Sequence, residues 1–486
     1  MQIVVLGATG FVGRALVLAL LARRHGVVVL ARAPAGARAT LPAGLAVVDF
    51  NDDLAVRAAV AGADAVVNLA GEPIAGRRWS SRRKRLLTES RVAVTRRLVD
   101  AIATRERALP VLVSASATGW YGDRGDTELD EDSGPGTGFA AELCQAWEAA
   151  AGAADANRVV FARLGVVMGR EGGAFQPLRR LFGLGLGGRL GDGSQWVPWI
   201  HLDDAISALV RVIEDPRLDG PVAITSPAPV QQRALAAALG RALRRPALLP
   251  APRAAVVLGL GEAASILLAS QRVVPRALAA VGFTFRFPSI DAALADLIAD
   301  GVSIERARPG DFPQHAGYLR ERRPRYTLRA RTELSAPLND VFAFFSSPGN
   351  LAALTPPALA FEIVGDPPGE LESDDVIDYK IRVAGVPMRW RTRIEGWQAG
   401  VGFVDSQERG PYRAWWHEHR FSEVNGKTVM EDVVHYAPPL GLLGALANRL
   451  VVASMLRRIF GFRRQAIRLR FGESAMAAQV SRRAGG

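Results

Sequence analysis

The 486-residue chain has a single cysteine, Cys144. No disulfide can form within it, and a reducing compartment fits. Lysine is nearly absent: Lys84, Lys380 and Lys427 are the only three among 60 basic residues, so the net charge of +12 is arginine charge. That arginine is spread along the chain without the basic-plus-aromatic signatures of nucleic-acid binders, and no nucleic acid is expected as a partner. No apolar run is long enough to span a membrane; the most apolar later stretch, residues 254–269, is broken by Glu262 and two glycines. No basic-then-apolar leader opens the sequence, and a cytoplasmic location is expected. Tyrosine is also scarce, with Tyr121 the only one in the first 300 residues. The 49% apolar and 22% charged content is that of a globular protein, and the length suggests two or three domains.

What the sequence does contain begins at residue 3. Ile3-Val4-Val5-Leu6 is an apolar run of strand length, followed at once by Gly7-Ala8-Thr9-Gly10-Phe11-Val12-Gly13. Residues 15–21 continue in a helix pattern, and Val27 to Leu30 forms a second strand ending at Ala31-Arg32. Strand, glycine turn, helix and strand make the first half of a dinucleotide-binding unit. Gly7 would permit the turn off the strand, Gly10 the approach of a pyrophosphate to the helix N-terminus, and Gly13 the packing of helix on strand. The spacing is G-x-x-G-x-x-G, not the commoner G-x-G-x-x-G, so its weight comes from the elements on either side.

Further strands are expected at 45–48 (ending in Asp49-Phe50), 64–71, 110–114 and 159–164. Helices are expected at 54–60, at 80–103 with Ser80 or Ser81 as cap, and at 139–151. This alternation implies an α/β fold, a doubly wound parallel sheet of Rossmann type. Ligands in such sheets bind beyond the carboxyl ends of the strands, where Gly7–Gly13, Arg32, Asp49, Gly71, Ser114–Ser116 and Gly165 would converge. After Gly169 the pattern loosens, with a strand near 196–200, Asp203 or Asp204 capping a helix, and several small helices to about residue 298. The expected organisation is a dinucleotide-binding domain over 1–230 with interleaved substrate-side segments, a small helical extension over 231–300, and a Pro/Gly-bearing linker over 301–324.

From Tyr326 onward polar and apolar residues alternate. Strands are expected at 327–334, 376–383, 388–394, 403–408, 414–421 and 428–436, with Asn425-Gly426 as a hairpin turn. A helix should start at Pro337, and a long one should run from about 446 to 471. Its seven arginines between Arg449 and Arg470 read as a solvated face. Residues 325–472 are thus expected to form an α+β domain, and 473–486 a disordered tail. One face of its sheet is apolar and must be covered, by the long helix through Val452, Met455 and Ile459. Either a cavity for an apolar ligand or a filled core lies between them. Trp390, Trp397, Trp415 and Trp416 would line or flank it, with adjacent Trp415 and Trp416 facing opposite ways. His417, His419 and His435, near Glu418, Glu431 and Asp432, match no standard ligand spacing, so no metal site is expected.

Gly7–Gly13, Asn68-Leu69-Ala70-Gly71-Glu72, the run SASATGWYG from Ser114 to Gly122, and Arg163-Leu164-Gly165 resemble the extended short-chain dehydrogenases/reductases. Residues 199–204 (WIHLDD) and 282–286 (GFTFR) are similar to a nucleoside-diphosphate-sugar epimerase subgroup of the NAD-dependent epimerases/dehydratases, which ends in a small helical domain. Residues 326–472 resemble, more loosely, a polyketide-cyclase/START-like helix-grip domain, most of all at Gly410–His417. The first resemblance implies a small-molecule substrate and a homodimer paired through helices such as 80–103 and 139–151.

The same resemblance implies a serine and a Tyr-x-x-x-Lys pair for acid/base work. Ser116 matches the serine, but the helix from Phe139 to Glu148 holds no tyrosine, lysine or arginine. A proton donor would have to be Tyr121, Ser116, Glu72 or water. Lacking a cationic partner, Tyr121 should keep a pKa near the usual value of about 10. Two functions are open: an NADP(H)-dependent oxidoreductase or epimerase with an atypical site, or a non-catalytic dinucleotide-binding sensor or carrier coupled to a lipid-type module. NADP(H) is expected because the second strand ends in Arg32 with no acid before Asp49, and an arginine fork suits a 2′-phosphate. The cofactor-contacting set is Gly7, Thr9, Gly10, Phe11, Val12, Gly13, Ala31, Arg32, Asp49, Phe50, Leu69, Ala70, Gly71, Glu72, Arg91, Ser114 and Leu164. Ser116 and Tyr121 are the catalytic candidates, with substrate lying between Glu72, these two and residues 196–201.

Overall fold

The computed structural model describes residues 1–472 except 43, 171, 300, 309, 311, 313–316, 384, 425 and 440, and except the side chains of Leu442, Leu443 and Leu446. The expected tail at 473–486 and Asn425 of the hairpin turn lie outside the described residues. The chain forms two compact units: Met1–Ala37 with Leu45–Ile298, and Arg38–Gly44 with Ala299 onward.

The first unit is built on seven strands: β1 (Gln2–Leu6), β2 (Gly26–Ala31), β3 (Ala46–Asp49), β4 (Ala65–Asn68), β5 (Val111–Ala117), β6 (Val159–Leu164) and β7 (Gly220–Ile224). Their spatial order is β7-β6-β5-β4-β1-β2-β3, and every pairing is parallel. Both faces are covered by helices, so the central strands are apolar throughout: Val4, Val5, Val66 and Val67 have no exposed surface. Helix α1 (Phe11–Ala22) returns the chain from β1 to β2. The strand order reverses between β1 and β4, the point at which sheets of this kind bind ligands beyond the carboxyl ends of their strands. The helix expected at 80–103 is capped by Ser80, whose side chain accepts from the Arg83 amide. It runs from Ser81 to Ile102 but contains a π turn at Glu89–Ala93. A further helix, α2 (Phe139–Gly152), packs against β5 and β6.

The two subgroup-like motifs of this unit hold each other. The Asp204 carboxylate accepts from the amides of Arg286 (2.7 Å) and Phe287 (2.9 Å). Neither Asp203 nor Asp204 caps the helix they open. The cap is His201, whose Nδ1 accepts from the Asp203 amide, because Asp204 is already committed to the 286–287 backbone.

The second unit is an eight-stranded antiparallel sheet: β8 (Val302–Arg306), β9 (Tyr326–Leu334), β10 (Glu362–Ile363), β11 (Val376–Val383), β12 (Val386–Gln398), β13 (Gly402–Arg409), β14 (Ala414–Val424) and β15 (Lys427–Ala437). The order is β8-β9-β15-β14-β13-β12-β11-β10. Strand β8 lies inside the stretch expected as linker and pairs with β9 along its whole length. The alternation of Val302 and Ile304, which both join the core cluster, outweighs the Pro/Gly signal that follows them. Helix α3 (Ala453–Phe471), reached through a π turn at Asn448–Val452, covers one face. Among the described residues no helix is long and apolar enough to cross a membrane.

Candidate cofactor site and ligand cavity

The turn off β1 has the shape its glycines require. Gly7 sits at φ +88°, and a Cβ there would come within 2.6 Å of the Leu69 carbonyl carbon. A Cβ at Gly13 would come 2.2 Å from the Gly7 carbonyl oxygen, which fixes how closely α1 approaches the turn. Gly10 is different, since a Cβ would meet only the Gly7 oxygen, at 3.2 Å. Gly10 is the N-cap of α1, no side chain caps the helix, and its first turn carries no acid. The helix N-terminus is therefore left for an external anion, and the cradle fits a pyrophosphate. Thr9 is exposed and Val12 half-buried. The Phe11 ring packs on Gly172 and Gly173, so this residue offers the site its backbone only.

Arg32 follows β2 directly and is exposed. Asp49 does not face it as a ribose-binding acid would. Its Oδ1 accepts from the Asn51 amide (2.8 Å) and side chain (2.9 Å). Phe50 is a core residue, 2% exposed, with the Arg97 guanidinium 5.0 Å from its ring and its amide donating to the Ala31 carbonyl. At the end of β4, Leu69 donates to the Leu6 carbonyl and Ala70 to Asn68 Oδ1, while Asn68 Nδ2 reaches Thr95. The Glu72 carboxylate accepts from Arg83 (2.9 Å), and its carbonyl from Arg91 (3.0 Å). The π turn positions Arg91 beside Gly71 and over the Trp147 ring at 5.2 Å; such bulges recur at functional sites. Burial pushes the Arg91 pKa down. Ser114 is buried, and Leu164 closes β6 half-buried.

The catalytic candidates lie in one buried network. Ser116 Oγ donates to Glu148 Oε1 at 2.6 Å. Arg163 clamps the same carboxylate with two arms, both at 3.0 Å, and donates to the Tyr121 hydroxyl at 3.2 Å. Its guanidinium also stacks 4.1 Å from the Trp120 centroid. Tyr121 has no exposed surface, and burial pushes its pKa up to about 12, against the opposing pull of Arg163. Two expectations are thus corrected: Tyr121 has a cationic partner, and its pKa is not near 10, because loss of solvent outweighs that partner. Cys144 and Glu148 of α2, spaced as the family's tyrosine and lysine are, both face Ser116. The Cys144 thiol is pushed up to about 11 by burial. Sequence reasoning missed the roles of Glu148, Arg163, Arg83 and Thr95. The available signal was an arginine inside the apolar strand β6 and an acid on the buried face of α2.

The second unit contains a cavity of about 590 Å³. Tyr379, Trp390 and Trp415 line it from the sheet, Tyr412 from the loop before β14, and Val452, Met455 and Ile459 from the covering helical segment. Trp416 faces the other way, packing on Leu319 and Val404. Trp397 flanks through Phe342 and Phe403. The arginines of α3 do not form a wholly solvated face, since Arg463 and Arg468 are buried.

A parallel sheet in this order, with an anion-ready helix N-terminus at its switch point, defines a dinucleotide-binding protein of the short-chain dehydrogenase type. The chain belongs to the NAD-dependent epimerase/dehydratase family, whose description matches residues 3–224; residues 251–297 match a domain of unknown function, DUF1731. It is 42% identical over 296 residues to the epimerase family protein Mb2239 of Mycobacterium bovis, covering 60% of this chain and 96% of that protein. It is 36% identical to human epimerase family protein SDR39U1, covering 62% of this chain and 100% of that one. A crystal structure of the human protein with NADPH superimposes with a TM-score of 0.56 at 34% identity, covering 61% of this chain and 99% of that one. The chain is accordingly an NAD(P)-binding protein of this family.

Proposed function

We propose that the first unit binds NADP(H) and carries out an oxidoreductase or epimerase reaction on a small carbonyl or hydroxyl compound without a Tyr-x-x-x-Lys pair. The observation that carries the cofactor choice is exposed Arg32 at the end of β2, with Asp49 turned onto Asn51. The human relative, solved with NADPH, supports it. Gly7–Gly13 and the α1 N-terminus would hold the pyrophosphate, Arg32 the 2′-phosphate, and Leu69–Glu72 with Arg91 the side nearer the nicotinamide. When bound, the nicotinamide supplies hydride exchange. In this reading Ser116 is the group that touches substrate oxygen, Glu148 orients its hydroxyl, Arg163 holds Glu148, and Tyr121 accepts from Arg163. A second reading, a dinucleotide-dependent sensor or carrier, is favoured by the engagement of both Ser116 and Tyr121 within the protein. In either case the cavity of the second unit, a START-like helix-grip domain in this reading, takes an apolar ligand. Incubating the full chain with NADPH or NADP+ and a panel of carbonyl and hydroxyl compounds, with the compounds recovered and analysed, separates the readings: net change in NADPH absorbance supports an oxidoreductase, altered stereochemistry without net change supports an epimerase, and stoichiometric binding with neither supports the carrier.

A further inference from the structure

One wall of the second-unit cavity is polar in a way that apolar binding does not require. Period-two alternation places Trp415, His417 and His419 of β14 on the face beneath α3. Asp405 of β13 is paired across the sheet with His417, and Asp432 of β15 with His419. His417, His419 and Asp432 are each less than a tenth exposed. Asp405 Oδ2 lies 3.0 Å from His417 Nδ1 and 3.0 Å from His419 Nε2. These three side chains line the cavity.

We infer that Asp405, His417 and His419 form a binding site for a borderline divalent transition metal, of the zinc or iron(II) class, open to the cavity. Ligand atoms about 2.0–2.2 Å from such an ion stand about 3 Å apart when the angles between them are near 90–110°. The two Asp405 distances match that spacing. A two-histidine, one-carboxylate set suits these ions rather than calcium or magnesium. The remaining nitrogens of both rings meet one carboxylate: His417 Nε2 is 2.9 Å and His419 Nδ1 3.2 Å from Asp432 Oδ1. Histidine ligands are commonly oriented in this way, with the outer carboxylate fixing which nitrogen carries the proton. Asp432 stands behind the rings, away from the cavity lining. Arg463 of α3 lies 3.3 Å from Asp432 and offsets its charge, and it donates to His419 Nδ1 at 2.9 Å, so the His419 proton sits on Nε2 towards Asp405; ligation through Nε2 requires that proton to move to Nδ1, on the Asp432 side.

Three protein ligands leave coordination positions facing the cavity, the arrangement of open rather than structural sites. Two carboxylates, one guanidinium, two neutral imidazoles and a divalent ion sum to one positive charge. An anionic oxygen donor on an apolar body would neutralise it, with the head on the metal and the body against Trp390 and Trp415. This last step rests on the cavity being a ligand pocket; the metal does not.

The test uses tag-free full-length protein, stripped with chelator and titrated with cobalt(II). One equivalent should bind, giving visible ligand-field absorption that zinc abolishes. Asp405→Asn and His419→Ala should each weaken binding at least tenfold. Asp432→Asn should weaken it about 10–100-fold while stoichiometry stays at one and the cobalt spectrum shifts, which a purely structural role would not produce. Circular dichroism and the urea transition that NADPH does not shift check folding of the second unit in each variant, and near-isosteric Asp405→Asn serves if His419→Ala does not fold. Absence of stoichiometric uptake by the unaltered protein, or uptake undiminished by Asp405→Asn, overturns the assignment. Decanoate should then shift the cobalt bands and decanol should not; an unchanged spectrum with decanoate refutes the head-group assignment while leaving the metal in place.

Discussion

Replacing Glu148 with leucine isolates the buried network of Ser116, Glu148, Arg163 and Tyr121. The Arg163 guanidinium is 4% exposed and the Glu148 carboxylate 6%. Removing one member of such a pair strands a buried charge and costs about 3–5 kcal/mol. The Ser116 hydroxyl loses its acceptor as well, which adds about 1–3 kcal/mol. Glu148→Leu should therefore destabilise the first unit by at least about 3 kcal/mol, and Arg163→Met by a similar amount. The double variant removes both charges and should cost far less than the sum, with a coupling of about 2 kcal/mol or more. Two units unfold in one chain, so a single transition cannot be assumed. Urea unfolding followed by circular dichroism, with and without NADPH, identifies the first unit's transition as the one the cofactor shifts. A single-variant cost below about 1 kcal/mol, or additive costs, would refute the reasoning.

Other expectations can be checked in parallel. Arg32→Ala should weaken NADPH and leave NADH nearly unchanged in fluorescence titrations; equal loss for both would remove Arg32 from the 2′-phosphate site. Gly7→Ala, whose Cβ has no room against Leu69, should abolish cofactor binding or folding of the first unit, and unaltered binding would contradict the turn geometry. The Cys144 thiol, held up to about 11, should resist disulfide reagents at neutral pH until urea unfolds the protein; rapid labelling of the native chain would contradict its burial. For Tyr121 the folded pKa, about 12, lies above the unfolded value of about 10, so the stabilisation is full below pH 10 and is lost as pH rises towards 12. At about 1.4 kcal/mol per unit this is about 3 kcal/mol, visible as a steeper alkaline loss of first-unit stability in the unaltered protein than in Tyr121→Phe.

Periodicity carried most of the architecture. The apolar runs at 3–6, 65–67 and 111–113 lie in central parallel strands, and such strands are apolar because both faces are covered. The alternating strands after Tyr326 were equally legible, although β14 and β15 are buried on both faces, Trp416 packing on Leu319 and Val404 on the side away from α3. Val302–Arg306 was not, because its five residues sit beside Pro/Gly-bearing sequence that reads as connection. The glycine turn and Arg32 could be placed from spacing, as both follow directly from a strand end. The Ser116–Glu148–Arg163–Tyr121 network could not, because its members come from four elements and meet only once β5, β6 and α2 are packed. The Asp405–His417–His419 cluster was hidden for a related reason: its ligands are neighbours through strand register, which linear spacing does not reveal.

The chain is an NAD(P)-binding member of its family, and we propose that Arg32, in place of a ribose-binding acid, makes it specific for NADP(H). Titration of the full-length protein with NADPH and NADH at equal ionic strength tests it most directly. One NADPH should bind per chain, at least tenfold more tightly than NADH. NADH binding as tight as NADPH, or no binding of either, would contradict it.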